Sequence, residues 1–202
     1  MRKRMRIEEI YSRCSIRKYK TDEVPVDAIK AILYAGTRAP SGKNRQPWRF
    51  IVVGGKEKES MLAAMQKGID REKDGISMLP LSRYGLPDAQ NTLNIMKQAP
   101  IIIMVLNQDS SSLFDEISGE ERVFEIVNTQ SIGAAIQNMC LAAENLGLGT
   151  LWIANTVFAY TELCDWLDTD KQLVAALAVG YPDEKPGTRP RKNLDDVVTY
   201  KM

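Results

Sequence analysis

Ala39-Pro40-Ser41-Gly42-Lys43-Asn44-Arg45-Gln46-Pro47-Trp48-Arg49-Phe50-Ile51-Val52-Val53 is the stretch on which the reading of this chain turns. Its first nine residues combine small side chains, two prolines and the hydrogen-bonding groups of Ser41, Asn44 and Gln46. That composition makes a loop, and the prolines stiffen it. From Trp48 the chain turns mostly aromatic and β-branched and reads as a buried strand, closed by Gly54-Gly55. A mere turn needs no such density of polar groups ahead of a core strand, so residues 39–47 form a candidate binding loop.

Upstream, Ile7, Ile10, Tyr11 and Cys14 recur at helical spacing and predict an amphipathic helix over 6–14. A second helix follows Pro25, with Ile29, Ile32 and Leu33 inward, and ends near Gly36. Downstream, 56–69 reads as helix, 70–90 as a surface excursion, 88–98 as helix and 100–106 as strand. A polar loop spans 107–119. The strongest periodicity comes next: Ile132, Ala135, Ile136, Met139, Cys140, Ala143 and Leu146 form one apolar face, stopped by Gly147 at a C′ position. Its alanines permit close approach of another backbone, from the core or from a second copy. Strands at 150–154 and 173–181 flank a helix at 160–167. The tail from Pro182 is rich in Pro and Arg and becomes strand-like at 197–200. With no internal repeat and no linker-like stretch, residues 1–202 read as one domain of mixed helices and strands.

Composition narrows the function. The 202 residues carry a net charge of +1, which gives no global attraction to nucleic acid or an anionic membrane. The basic start at 1–6 reads as a solvated tail, without the apolar segment of a signal peptide. No apolar run approaches the roughly 20 residues of a membrane helix. Cys14, Cys140 and Cys164 are odd in number and widely spaced, which suits core residues in a reducing, cytoplasmic compartment better than a disulfide framework. The chain has no histidine, which excludes the usual Ser-His and Cys-His machinery and most zinc chemistry. A cofactor is therefore the expected carrier of any reactive centre, and no metal site is predicted.

Common cofactor motifs fail on position. Gly147-Leu148-Gly149 follows a helix and precedes a strand, the reverse of a dinucleotide-binding turn. Ser41-Gly42-Lys43 lacks the first glycine of a phosphate loop. What remains are Arg13-Cys14-Ser15-Ile16-Arg17 near the N-terminus and Arg189 with Arg191 in the tail. By itself the first cluster is explained as a basic helix end favoured by the macrodipole. Together the four guanidinium forks could enclose a phosphate.

Taken in order, these segments resemble the nitroreductase family. Its R-x-S-x-R appears as Arg13 to Arg17, and its A-P-S-x-x-N-x-Q-P-W-x-F as Ala39 to Phe50 with every specified position filled. L-A-A-x-x-L-G-L-G appears as Leu141 to Gly149, and P-R-K-x-L as Pro190 to Leu194. The resemblance spans essentially the whole chain. It implies an α+β fold, with a mixed, largely antiparallel sheet sandwiched by helices, in an intertwined homodimer holding two FMN groups at its interface. It further implies that Arg13, Cys14, Ser15 and Arg17 contact FMN from one subunit, with Arg189 and Arg191 at its phosphate. Pro40, Ser41, Gly42, Asn44 and Gln46 would approach the flavin of the other subunit. Asn91 would face the polar edge of the ring, and Trp152, Ile153, Ala154 and Asn155 would lie along one ring face.

The activity implied is transfer of hydride from NADH or NADPH to FMN, then of electrons to a nitroaromatic, quinone or related small acceptor. The reduced ring would carry negative charge that Arg17 stabilises. Ala154-Asn155 replaces the acidic residue and glycine that some nitroreductases carry there, which leaves the acceptor open. A flavin dehydrogenase or dehalogenase on the same fold, and a non-catalytic FMN-storing protein, are the alternatives.

Overall fold

The structure, a computed structural model, describes residues 6–187 and 189–202, so the basic start at 1–5 lies outside the described residues. Its organising strand is β2 (Ile101–Asn107). This run is apolar from Ile101 to Leu106 without alternation, so both of its faces must be covered. Ile102, Met104 and Leu106 enter one core and Ile103 and Val105 a second, on opposite sides of the sheet.

Around β2 lie β1 (Trp48–Val53), β3 (Gly149–Ile153) and β4 (Gln172–Gly180), in the order β1-β2-β4-β3, each pair antiparallel. The segment after the first helix adds a parallel bridge from Ser15 to Thr150 at the β3 edge, so the sheet is largely antiparallel with a mixed margin, as predicted. Helices α3 (Gly55–Lys73), α4 (Leu86–Gln98) and α6 (Tyr160–Trp166) fill the first core with Met61, Met65, Ile69, Leu93, Met96 and Leu163. Helices α2 (Val26–Thr37) and α5 (Gly119–Asn145) fill the second with Ile29, Ile32, Ile132, Ile136 and Met139.

The predicted apolar face of α5 is buried from Ile132 to Ala143, whereas Leu146 lies beyond the last turn, 43% exposed. The helix that approaches α5 closely is α2 of the same chain: a Cβ on Gly36 would come within 2.9 Å of Met139 Cγ. The helix stops in a paired C-terminal motif around Gly147 (φ 73°). There Gly147 N–H reaches Glu144 O at 3.0 Å and Leu148 N–H reaches Ala143 O at 2.8 Å.

Several boundaries differ from the sequence reading. Helix α5 begins at Gly119, well before its inward periodicity does, because Val123, Phe124 and Ile126 face solvent. A reciprocal cap, Ser118 with Glu121, starts it. Helix α3 runs to Lys73, and the excursion after it closes in a 3-10 turn, Pro80–Gly85. The first helix, α1 (Glu8–Ser12), is short, and Ile7, Ile10 and Tyr11 are all exposed rather than turned inward. Residues 197–200 form no strand; a 3-10 turn at Leu194–Asp196 precedes an exposed end. Among the described residues none of these apolar side chains is buried in the core, and Tyr11 and Phe124 have only arginine side chains, Arg6 and Arg45, over their rings. Among the described residues no helix is long and apolar enough to cross a membrane.

Candidate functional site

Residues from three distant segments meet at the C-terminal end of β3. After α1 the chain runs beside β3, where Ile16 N–H donates to Thr150 O at 2.9 Å. Tyr19 Oη donates to Ile16 O at 2.9 Å, and burial, reinforced by the Glu184 carboxylate, pushes that phenol far above its ordinary pKa, so it remains a donor. Glu184 also accepts from the backbone N–H groups of Arg17 and Lys18. This clamp fixes where Arg17 leaves the main chain.

Arg17 then lines a cavity of about 250 Å³ with Asn91, Leu151, Trp152, Ile153, Ala154 and Asn155. One face of α4 completes it with Asp88, Thr92 and Ile95, at i, i+4 and i+7. Asn155 ties the two walls together: its Nδ2 donates to Asp88 Oδ2 at 2.9 Å and to Thr92 Oγ1 at 3.0 Å. Because β3 is an edge strand, no strand among the described residues pairs with its outer side beyond the Ser15–Thr150 bridge, and its main chain is open there. The cavity thus combines a guanidinium, a carboxylate, two primary amides and the edge-strand backbone with the side chains of Ile95, Leu151, Trp152 and Ile153.

Six of the predicted residues, Arg17, Asn91, Trp152, Ile153, Ala154 and Asn155, are brought together here. Asp88, Thr92 and Ile95 were missed, although helical spacing from Asn91 places all three on its face. Of the remaining N-terminal residues, Ser15 makes the bridge to Thr150, and Cys14 packs half-buried against the α3/α4 core. Arg13 is close enough to Cys140 to draw on its thiol, yet burial wins and raises the Cys140 pKa. Burial likewise raises that of Cys164, so both thiols stay protonated at neutral pH. All three cysteines are free.

The loop at 39–47 lies elsewhere in the chain, against α5. Gly42 N–H points to Ser131 Oγ at 3.4 Å, and the Arg45 guanidinium stacks 4.3 Å from the Phe124 ring centroid. Three non-glycine residues in it, Lys43, Asn44 and Gln46, hold positive φ angles of 54°, 55° and 53°. Such conformations each cost on the order of 1–3 kcal/mol and concentrate where a loop must present a fixed backbone shape. Ser41 braces it, its Oγ accepting from Gln46 N–H at 3.0 Å. Pro40 precedes this brace, and neither it nor the others border the Arg17 cavity. Arg189 and Arg191 also stand apart, in the exposed tail, where Arg191 Nη1 donates to the Arg189 and Pro190 carbonyls. One chain therefore presents three separate parts: a cavity, a strained loop and a basic tail.

The chain matches the Nitroreductase family model over residues 10–181. A protein of Methanothermobacter thermautotrophicus, provisionally named NADH dehydrogenase/NAD(P)H nitroreductase, is 32% identical over 91% of this chain and 80% of its own. An iodotyrosine deiodinase of Thermotoga neapolitana is 24% identical, with 93% of each chain covered. A solved structure from Desulfovibrio desulfuricans, provisionally described as a nitroreductase in complex with FMN, superposes with a TM-score of 0.69 at 29% identity. It covers 96% of this chain and 95% of that one. Sequence motifs, sheet topology and these likenesses agree: the chain belongs to the nitroreductase family.

Proposed function

We propose that the protein is an FMN-dependent oxidoreductase that draws electrons from NADH or NADPH and delivers them to a small organic acceptor, a nitroaromatic or quinone. The observation that carries this reading is the convergence of Arg17, Asn91 and the open edge of β3 on one cavity. That donor set suits a flavin: an amide and backbone groups for the polar edge of the ring, and a cation where negative charge accumulates on reduction. The chemistry FMN supplies when bound is electron transfer between two substrates that use the same ring face in turn.

In this reading the residues themselves bind, orient and tune. Arg17 stabilises the anionic form of the ring, Asn91 fixes its register, and the 152–155 backbone forms a flat wall along one face. The Asn155 bonds to Asp88 and Thr92 hold that wall to α4. Nothing here requires a protein acid or nucleophile, which accords with the absence of histidine and with the protonated thiols.

The cavity of one chain is smaller than the roughly 300–1,000 Å³ usual for cofactor sites. We infer that a second copy completes it, in a homodimer where the Pro40–Gln46 loop faces the partner's flavin and Arg189 and Arg191 close on the phosphate with Arg13 and Ser15. The exposed apolar residues of α1, of the first half of α5 and of the tail support this arrangement.

The test is direct. The purified protein should carry a yellow flavin released as FMN, and NADH or NADPH should bleach it anaerobically, with colour returning on addition of menadione. A colourless protein that does not take up FMN overturns the reading; a flavin that neither nucleotide bleaches makes the protein a flavin carrier instead. A mono-iodotyrosine arm separates the acceptor proposed here from dehalogenation.

A further inference from the structure

We infer that Asp88 selects among electron acceptors, favouring molecules with a positive charge near the reducible group and disfavouring anionic ones. The inference rests on the flavin reading above and adds the class of substrate. Among the described residues two ionisable side chains line the cavity, Arg17 and Asp88. If Arg17 is spent on the cofactor, Asp88 is the charge that this chain's own cavity wall has left to face an incoming molecule.

Its setting suits that task. Asp88 lies in the first turn of α4, beginning the same face that carries Asn91, Thr92 and Ile95 into the cavity. One oxygen, Oδ2, is held by Asn155 Nδ2 at 2.9 Å, which fixes the carboxylate without neutralising it. Among the described residues no lysine or arginine forms an ion pair with it. An acid in the first turn of a helix is commonly explained by the macrodipole alone. That role needs neither the bond to Asn155, on a different element, nor a place in the cavity wall. Asp88 faces the 152–155 segment from the opposite wall of the cavity and is bonded to it through Asn155.

The expected size follows from Coulomb's law. A unit charge some 6 Å away at an effective dielectric constant between protein and water should change relative acceptor efficiency by about tenfold. Because Asp88 is exposed, the preference should shrink as salt rises.

The experiment compares (4-nitrobenzyl)trimethylammonium with 4-nitrobenzoate as acceptors for the flavin-loaded protein, in wild type and in Asp88→Asn. The asparagine keeps an oxygen for Asn155 and loses only the charge. In wild type the cation should have the higher kcat/KM by about tenfold at low ionic strength. In Asp88→Asn the ratio should fall to about one-fifth of that or less, mainly through KM. A structural role would lower both rates and leave the ratio unchanged, which would overturn the inference. A wild-type ratio independent of salt would overturn it without any variant. A wild-type flavin that no nucleotide reduces overturns the flavin reading and this inference with it. A reducible flavin with the same ratio in both proteins overturns the inference alone.

Discussion

Arg71 Nε lies 2.7 Å from Glu162 Oε1 while its Nη1 lies 2.7 Å from Glu72 Oε1 and donates to Ile76 O at 3.0 Å, so one guanidinium joins the end of α3 to α6 and to the start of the excursion. Glu72 is fully buried and also accepts from Ser77 Oγ and from Met78 N–H. Burial alone would raise its pKa, but these hydrogen bonds outweigh it and the net shift is downward. A carboxylate whose folded-state pKa lies below its unfolded value contributes stability that is fully present above the ordinary glutamate range. That contribution drains away as pH falls through the lowered folded value. Glu72→Gln should therefore flatten the acid limb of a stability–pH profile and cost roughly 3 kcal/mol at neutral pH, as a buried pair losing one partner does. Urea melts from pH 3 to pH 8 would show it; an unchanged acid limb would remove Glu72 from the account.

Among the described residues Arg191 bonds to its neighbours' carbonyls and to no carboxylate, as the phosphate role proposed above requires. Arg191→Ala should weaken FMN at least about tenfold, the loss of one charge-assisted contact, and riboflavin little. Fluorescence titration with both flavins measures the difference. Equal losses would place Arg191 away from the phosphate.

Dimerisation and FMN retention should fail together. Asn44 holds a left-handed conformation that asparagine tolerates better than most residues, and alanine there costs about 1 kcal/mol before any contact is lost. Light scattering on Asn44→Ala, with and without FMN, should show weaker flavin binding and a dimer that FMN stabilises less than in wild type. A folded monomer binding FMN at wild-type affinity would contradict both the two-chain site and the role given to this loop.

The cysteines should be dispensable to the reaction. Cys140 and Cys164 sit in the core as protonated thiols, and Cys14 packs against it. A Cys14→Ser, Cys140→Ala, Cys164→Ala protein should lose stability, about 1 kcal/mol or more per emptied core position, and keep a nucleotide-reducible flavin. A folded, FMN-loaded triple variant that no nucleotide reduces would show that a thiol takes part.

What the sequence revealed depended on whether a residue's environment is set locally. Gly147 announced the end of α5 because a C′ position demands left-handed backbone, and the unbroken run of β2 announced two covered faces. Arg17, Asn91 and the 152–155 segment were legible through a family pattern rather than through spacing, since they meet only when α1's exit strand docks on β3. The first half of α5 went unread because its apolar residues point outward, although Ser118-Gly119-Glu120-Glu121 carries a capping signature. The tail's strand-like character at 197–200 describes what those residues favour, and a strand needs a partner edge that the single chain does not bring to them.

The docking of Ile16 on Thr150 also sets a timetable for synthesis. Arg17 emerges from the ribosome early, but the wall it faces is not made until residue 155. At about 5–20 residues per second the delay is on the order of ten seconds. Until then residues 15–20 have no edge to lie on, and the exposed Ile10 and Tyr11 before them are available to chaperones. Flavin capture is consequently a late event in the life of each chain, and a cell short of FMN would accumulate finished polypeptide rather than stalled nascent chains.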